Sequence, residues 1–183
     1  MGSRGVHFAV PLETAEALCG ASDDDELMDL VEALEGAWDR AHLAESDKAW
    51  DAMHRALTNG ELEFGGGEPP LHHCVLGPRQ LHQGEDYIVC VALPDEVRAA
   101  AAALEAIDGN AFGKRYDERV PRDYAPEYGV EDREYTTRWF LAVRALFLKD
   151  LPDSLVRQLG MFAASGRGDA LVQKPGVQFL VAL

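Results

Sequence analysis

The chain holds 183 residues, 47% of them hydrophobic, with 32 carboxylates against 17 Lys and Arg for a formal charge of −15. This length and apolar share suffice for one hydrophobic core without disulfides or metal. The acidity argues against nucleic acid as a partner, because phosphate backbones demand clustered Lys and Arg, and no apolar run approaches the ~20 residues that span a bilayer.

The start, Met1-Gly2-Ser3-Arg4-Gly5-Val6, lacks the apolar segment of a secretion signal, and Val6 stands where N-myristoylation wants Ser or Thr. A cytoplasmic protein is expected. Val6 to Val10 alternates as a strand that Pro11 stops, and a short helix near Glu13 to Cys19 follows. Ser22 is predicted to cap the next helix, with Asp25 three residues on and the acids Asp23 to Glu26 suited to a positive helix N-terminus. Leu27, Leu30, Val31, Leu34, Ala37 and Trp38 form its apolar face, with Asp29, Glu32, Glu35 and Asp39 directed outward.

Ser46 and Asp47 then read as caps of a helix carrying Trp50, Met53, His54 and Leu57 at i, i+3, i+4 and i+7, an apolar stripe with a histidine inside it. Thr58-Asn59-Gly60 ends that helix. The glycines at 65 to 67 belong to a loop, since no Gly-Lys-Ser/Thr follows to make a phosphate cradle. Leu71 to Leu76 and Tyr87 to Leu93 are predicted strands, the second apolar on both faces and therefore central, with residues 77 to 86 as the loop between them. Pro94 opens a helix with Asp95 and Glu96 in its first turn, packed through Val97, Ala100, Ala101, Leu104 and Ile107 and closed by Gly109. A polar, proline-punctuated stretch from Lys114 to Gly129 leads to a helix whose Tyr135, Trp139, Val143 and Leu146 share a face, with Phe140 and Phe147 beside it. Val177 to Leu183 alternates as a terminal strand.

Charge is unevenly spread. Residues 1 to 70 hold 16 acids and 4 bases, and residues 71 to 183 hold 16 and 13, so the first part carries −12 and the remainder −3. A field of one sign steers an oppositely charged surface into contact, which makes a basic protein the compatible partner, while solvated helix faces are the plainer explanation. Cys19, Cys74 and Cys90 are an odd, widely spaced set with no C-x-x-C pair, and Cys74 and Cys90 read as small buried hydrophobes.

The order of the N-terminal strand, Asp47-Lys48-Ala49-Trp50 with His54, Leu57-Thr58, Val75-Leu76-Gly77, Arg79 to Leu81, Tyr87-Ile88-Val89 and Pro94-Asp95-Glu96-Val97 leading to Ala102-Ala103-Leu104 resembles the YfbM-like family of bacterial domains of unknown function. The resemblance covers roughly residues 5 to 147. It implies a cytosolic α+β protein, helices packed on a mixed sheet, and brings no activity, cofactor or active site. The family pattern runs from the aromatic helix to a small-residue helix end, a glycine and one closing strand. Here Lys149 to Asp153 interrupts it, and Met161 to Val172 is the delayed equivalent. One domain over residues 1–183 is therefore expected, with 148–183 a divergent C-terminal segment in which either Ala170 to Val172 or Val177 to Leu183 supplies the sheet strand.

Among candidate site residues, His54 is a general base or ligand near neutral pH, with Asp47 or Asp51 to orient it and Trp50 as a platform, or else a hydrogen-bonded core histidine. His72 and His73 point to opposite strand faces and do not share an ion, so no metal is expected, nor any cofactor. Arg79 beside Gly77 and Pro78 is a fork for a carboxylate or phosphate, or a partner of the acidic helices. Arg167-Gly168-Asp169 is a chance tripeptide. Two functions follow: a non-enzymatic acidic module that binds a basic protein, or a small-molecule binder or enzyme whose cleft is lined by Asp47, Trp50, His54, His73 and Arg79.

Overall fold

The structure, a computed structural model, describes residues 4–37, 42–60, 69–83, 88–121, 133–148, 158–164 and 176–182. Strands β1 (Arg4–Val10), β2 (Leu43–Asp47), β3 (Arg79–Gln83), β4 (Ile88–Val91), β5 (Gln158–Ala164) and β6 (Gly176–Ala182) form one six-stranded mixed sheet in the order β2-β1-β6-β5-β4-β3. β6 runs parallel to β1 and antiparallel to β5, and the remaining adjacent pairs are antiparallel. The helices are α1 (Leu12–Gly20), α2 (Asp24–Gly36), α3 (Trp50–Leu57), α4 (Pro94–Glu105), α5 (Gly109–Arg119) and α6 (Arg133–Leu148). The fold class is α+β.

Two apolar layers separate along the pleat. Val6 and Val10 of β1 and Val89 and Val91 of β4 meet Ala15, Leu18, Leu27 and Val31 of α1 and α2. Cys90 of β4, with Ala9 of β1 partly buried beside it, faces the larger cluster built from α3, α4, α5 and α6. Successive strand residues point to opposite faces, so one strand feeds both cores. β4 is hydrogen-bonded on both sides, and Val89, Cys90 and Val91 are all buried, as the doubly apolar run required.

Several expected boundaries move. The first long helix is capped by Asp23, whose carboxylate accepts the Glu26 N–H at 2.9 Å, while Ser22 donates its N–H to Glu26 Oε2 at 2.7 Å. The polar reciprocity is present but displaced from Ser22 by one residue. Leu27 and Val31 are its buried line; Leu30 and Leu34 are half-buried, Ala37 is exposed, and Trp38 and Asp39 lie outside the described residues. Ser46 and Asp47 are not helix caps: they end β2, and α3 begins after Ala49. Edge pairing with β1 supplies hydrogen bonds that local capping chemistry does not foresee.

Leu71 to Leu76 is not a strand. Leu71–Cys74 forms a 3-10 helix in which His73 donates its N–H to the Pro70 carbonyl at 3.1 Å. A short buried apolar run does not by its periodicity distinguish strand from helical turn. The strand that pairs with β4 is β3, within the segment read as a loop. Gly109 does not close a helix but opens α5, for which Asp108 is the cap, accepting the Ala111 N–H at 2.8 Å. α5 is too polar for an apolar stripe to reveal it; its buried contributions are Phe112 and Gly113. In α6 the buried line is Thr136, Phe140, Val143, Leu146 and Phe147, with Tyr135 and Trp139 half-buried at its margin. Phe140 stacks on Phe112 with centroids 4.0 Å apart and planes 8° from parallel. At the C-terminal end, Gly176–Ala182 is a strand, β5 precedes it, and Ala170 to Val172 lies outside the described residues.

Candidate functional site

Helices α1 and α2 contain eight carboxylates and no Lys or Arg. Glu13, Glu16, Asp24, Asp25, Glu26, Asp29 and Glu32 are exposed, as is the capping Asp23. The apolar residues of both helices face the sheet, so the carboxylates are left on the solvent side by the same periodicity. On this face Asp24 Oδ1 lies within hydrogen-bond distance of His82 Nδ1, at 2.9 Å. On the opposite layer, α5 and α6 contain six Lys and Arg against three acids. The sheet thus separates an acidic surface from a mildly basic one.

The sequence-predicted residues fall into two groups. At the β2 end, Asp47 sits at φ 45°, in the left-handed region that costs a non-glycine residue energy. It accepts the Tyr135 hydroxyl at 2.5 Å and is paired to Arg4 at 3.1 Å. Arg138 lies over both the Tyr135 and Trp139 rings. Trp50 starts α3 and is half-buried against the larger core, and His54, one turn later, has no exposed surface. The Thr58 hydroxyl donates to the His54 carbonyl at 2.8 Å, which tightens the end of α3.

His73 and Arg79 belong to the second group, at the end of β4 where the 3-10 helix, β3 and α4 meet. Arg79 donates to Glu96 Oε2 at 2.5 Å, and the same oxygen accepts the Leu93 N–H at 2.6 Å. Glu96 therefore caps α4 and neutralises Arg79 together, which leaves the Arg79 fork committed rather than open. Burial, reinforced by the His72 ring at 3.9 Å, lowers His73 to about 4 despite the opposing effect of Glu96. His73 is neutral at physiological pH. Burial, partly offset by Arg79, raises the Cys19 thiol, so no activated thiolate is present there. His72 and His73 share one helical turn instead of opposite strand faces, and among the described residues no group of three or more His, Cys, Asp and Glu is arranged to hold a metal.

Sequence reading passed over one further constellation. Arg115 and Arg119, one turn apart on α5, line a groove with Leu57, Thr58, Asn59, Pro69, Pro70, Leu71 and Ala103. Its signal was a basic pair in a strongly acidic chain, hidden because Lys114 to Gly129 was read as irregular.

A mixed sheet covered by helices on both faces defines an α+β domain. The chain belongs to the family described as Domain of unknown function (DUF1877), whose model matches residues 1–151. No functionally curated protein matches it. Among solved structures it is similar to the protein of unknown function YfbM from Escherichia coli, with 19% identity, a TM-score of 0.50, and coverage of 78% of this chain and 87% of that one. At that identity the likeness concerns the fold.

Proposed function

We propose that this chain is a non-enzymatic cytosolic binding module, one domain over residues 1–183, whose α1–α2 face receives a basic protein partner. The single observation that carries the reading is the row of exposed carboxylates on two helices without a Lys or Arg between them. Segregated negative charge on a rigid, sheet-backed surface accelerates encounter with a positive surface and rejects acidic competitors. The position of β6 between β1 and β5 supports treating 148–183 as part of the same domain.

A ligand or enzymatic cleft around His54, Asp47 and Arg79 gains less support. His54 is enclosed, Asp47 is engaged by Tyr135 and Arg4, and Arg79 by Glu96.

The test is co-purification of partners by the wild-type chain and by an E13Q/E16Q/D25N/D29N/E32Q variant, with captured proteins identified by mass spectrometry. A basic protein that is retained by the wild type, lost by the variant, and released as salt rises is the expected result. A partner bound equally by the variant, or unaffected by salt, overturns the proposal.

A further inference from the structure

The groove beneath α5 combines features that the acidic face does not explain. It has a cavity volume of about 730 Å³, within the range of small-molecule sites, and it lies on the other side of the sheet from α1 and α2. Its walls are the end of α3, the Pro69-Pro70-Leu71 corner and Ala103 of α4, so Leu71, the prolines and Ala103 line it together with two arginines.

Among the described residues neither arginine forms an ion pair with an acid. The acids of α5 are committed elsewhere, Glu118 to Lys114 at 3.8 Å and Asp117 to Arg133 at 3.2 Å. Arg119 donates to the Thr58 carbonyl, which fixes it beside the α3 terminus. Arg115, half-buried, makes no hydrogen bond or ion pair with another of the described residues. Burial and the like charge of Arg119 disfavour its charged form, with Glu118 opposing them in part, in a molecule that carries 32 carboxylates. Two like charges one turn apart at a half-buried groove are costly unless an anion neutralises them.

The wall is also tightly built. Gly60 has φ +95°, and a Cβ there would stand 2.5 Å from the Arg119 carbonyl oxygen. Arg55 donates to the Gly60 carbonyl at 3.1 Å and is held by Asp51 at 2.6 Å. The loop that follows α3 is therefore pinned against the end of α5, which holds the groove open at a defined width.

We propose that this groove binds a phosphate monoester, with Arg115 and Arg119 gripping the phosphoryl oxygens and the organic group resting on Leu71 and the prolines. Two planar forks match a doubly charged tetrahedral anion better than a single carboxylate. The site is independent of the acidic face, so either proposal stands or falls alone.

Phenyl phosphate is the probe. It is titrated into the full chain to about 10 mM and followed by thermal shift and calorimetry, with benzoate and sodium sulfate at matched ionic strength as controls. Saturable stabilisation by phenyl phosphate, exceeding that of benzoate, is expected, and R115Q weakens binding by about tenfold or more while leaving the melting temperature of the free protein nearly unchanged. R133Q, outside the groove, leaves binding unaltered. No saturable shift, an equal response to benzoate or sulfate, or undiminished binding by R115Q overturns the proposal. In that event Arg119 serves only the carbonyl at the end of α3.

Discussion

Tyr135 and Asp47 illustrate how one side-chain pair ties distant parts of the chain. They are 88 residues apart, and their 2.5 Å hydrogen bond fastens the start of α6 to the edge strand β2. Removing the hydroxyl leaves a partly buried carboxylate paired to Arg4, and a hydrogen bond to a charged group is worth about 1.5–3 kcal/mol. Tyr135→Phe is expected to lower stability by about that amount, seen as a lower urea midpoint with an unchanged slope. His7 adds a pH dependence. Its ring is fully buried, with Nε2 3.2 Å from Ser46 Oγ, and burial lowers its pKa well below 6.5. The unfolded chain therefore takes up a proton near pH 6.5 that the folded chain refuses. Stability is intact above that pH and falls as pH drops below it, by at most about 1.4 kcal/mol per unit from this residue. Thermal melts from pH 7.5 to 5 should show the decline, and His7→Gln should flatten it. His73, held near 4, contributes with the same sign.

At the scale of elements, the helices differ in how much of themselves the linear chain announces. The face of α4 was readable because Val97, Ala100, Ala101 and Leu104 recur at helical spacing, and all four are buried. α5 was not, because its stability rests on the Asp108 cap, on Phe112 stacked against Phe140, and on Gly113, where a Cβ would come within 2.7 Å of the Arg133 guanidinium. These are contacts between elements rather than periodicity within one. Asp23→Ala and Asp108→Ala each remove a side-chain acceptor at a helix start and should cost about 1 kcal/mol by chemical denaturation. Asp108→Ala should also weaken the groove that α5 lines, whereas Asp23→Ala should not. Gly60→Ala is a harsher change, since it meets both a positive φ and the Arg119 carbonyl, and a loss above ~1 kcal/mol is expected.

The whole molecule is a sheet between two apolar layers and two unlike surfaces. Leu18 lies in the α1–α2 layer and Phe140 in the larger one, each 1% exposed. Leu18→Ala should cost about 2–5 kcal/mol and Phe140→Ala about 3–5 kcal/mol, with the double mutant near their sum, because the two cavities share no partners. A shortfall from additivity would mean that the sheet transmits strain between layers. The excess of negative charge repels itself in the compact state, so melting temperature should rise as salt is added to a dilute buffer, and less so in the E13Q/E16Q/D25N/D29N/E32Q variant.

The linear chain alone determined the first strand, the first two helices, the proline-opened helix and the terminal strand, because each carries its own periodicity or punctuation, and the order of its short motifs carried the resemblance that implied the family and the α+β class. It also determined where the acids concentrate. Tertiary structure decided which weakly patterned segments become strands or helices: β2, β3 and β5 acquire their conformation from neighbours that complete their hydrogen bonds, and Leu71–Cys74 loses a strand that its composition favoured. It likewise decided the state of each candidate side chain. A histidine at position i+4 of an apolar stripe is the same in sequence whether buried or exposed, and only packing encloses His54, binds Asp47 to Tyr135, and commits Arg79 to Glu96 while leaving Arg115 and Arg119 facing a groove.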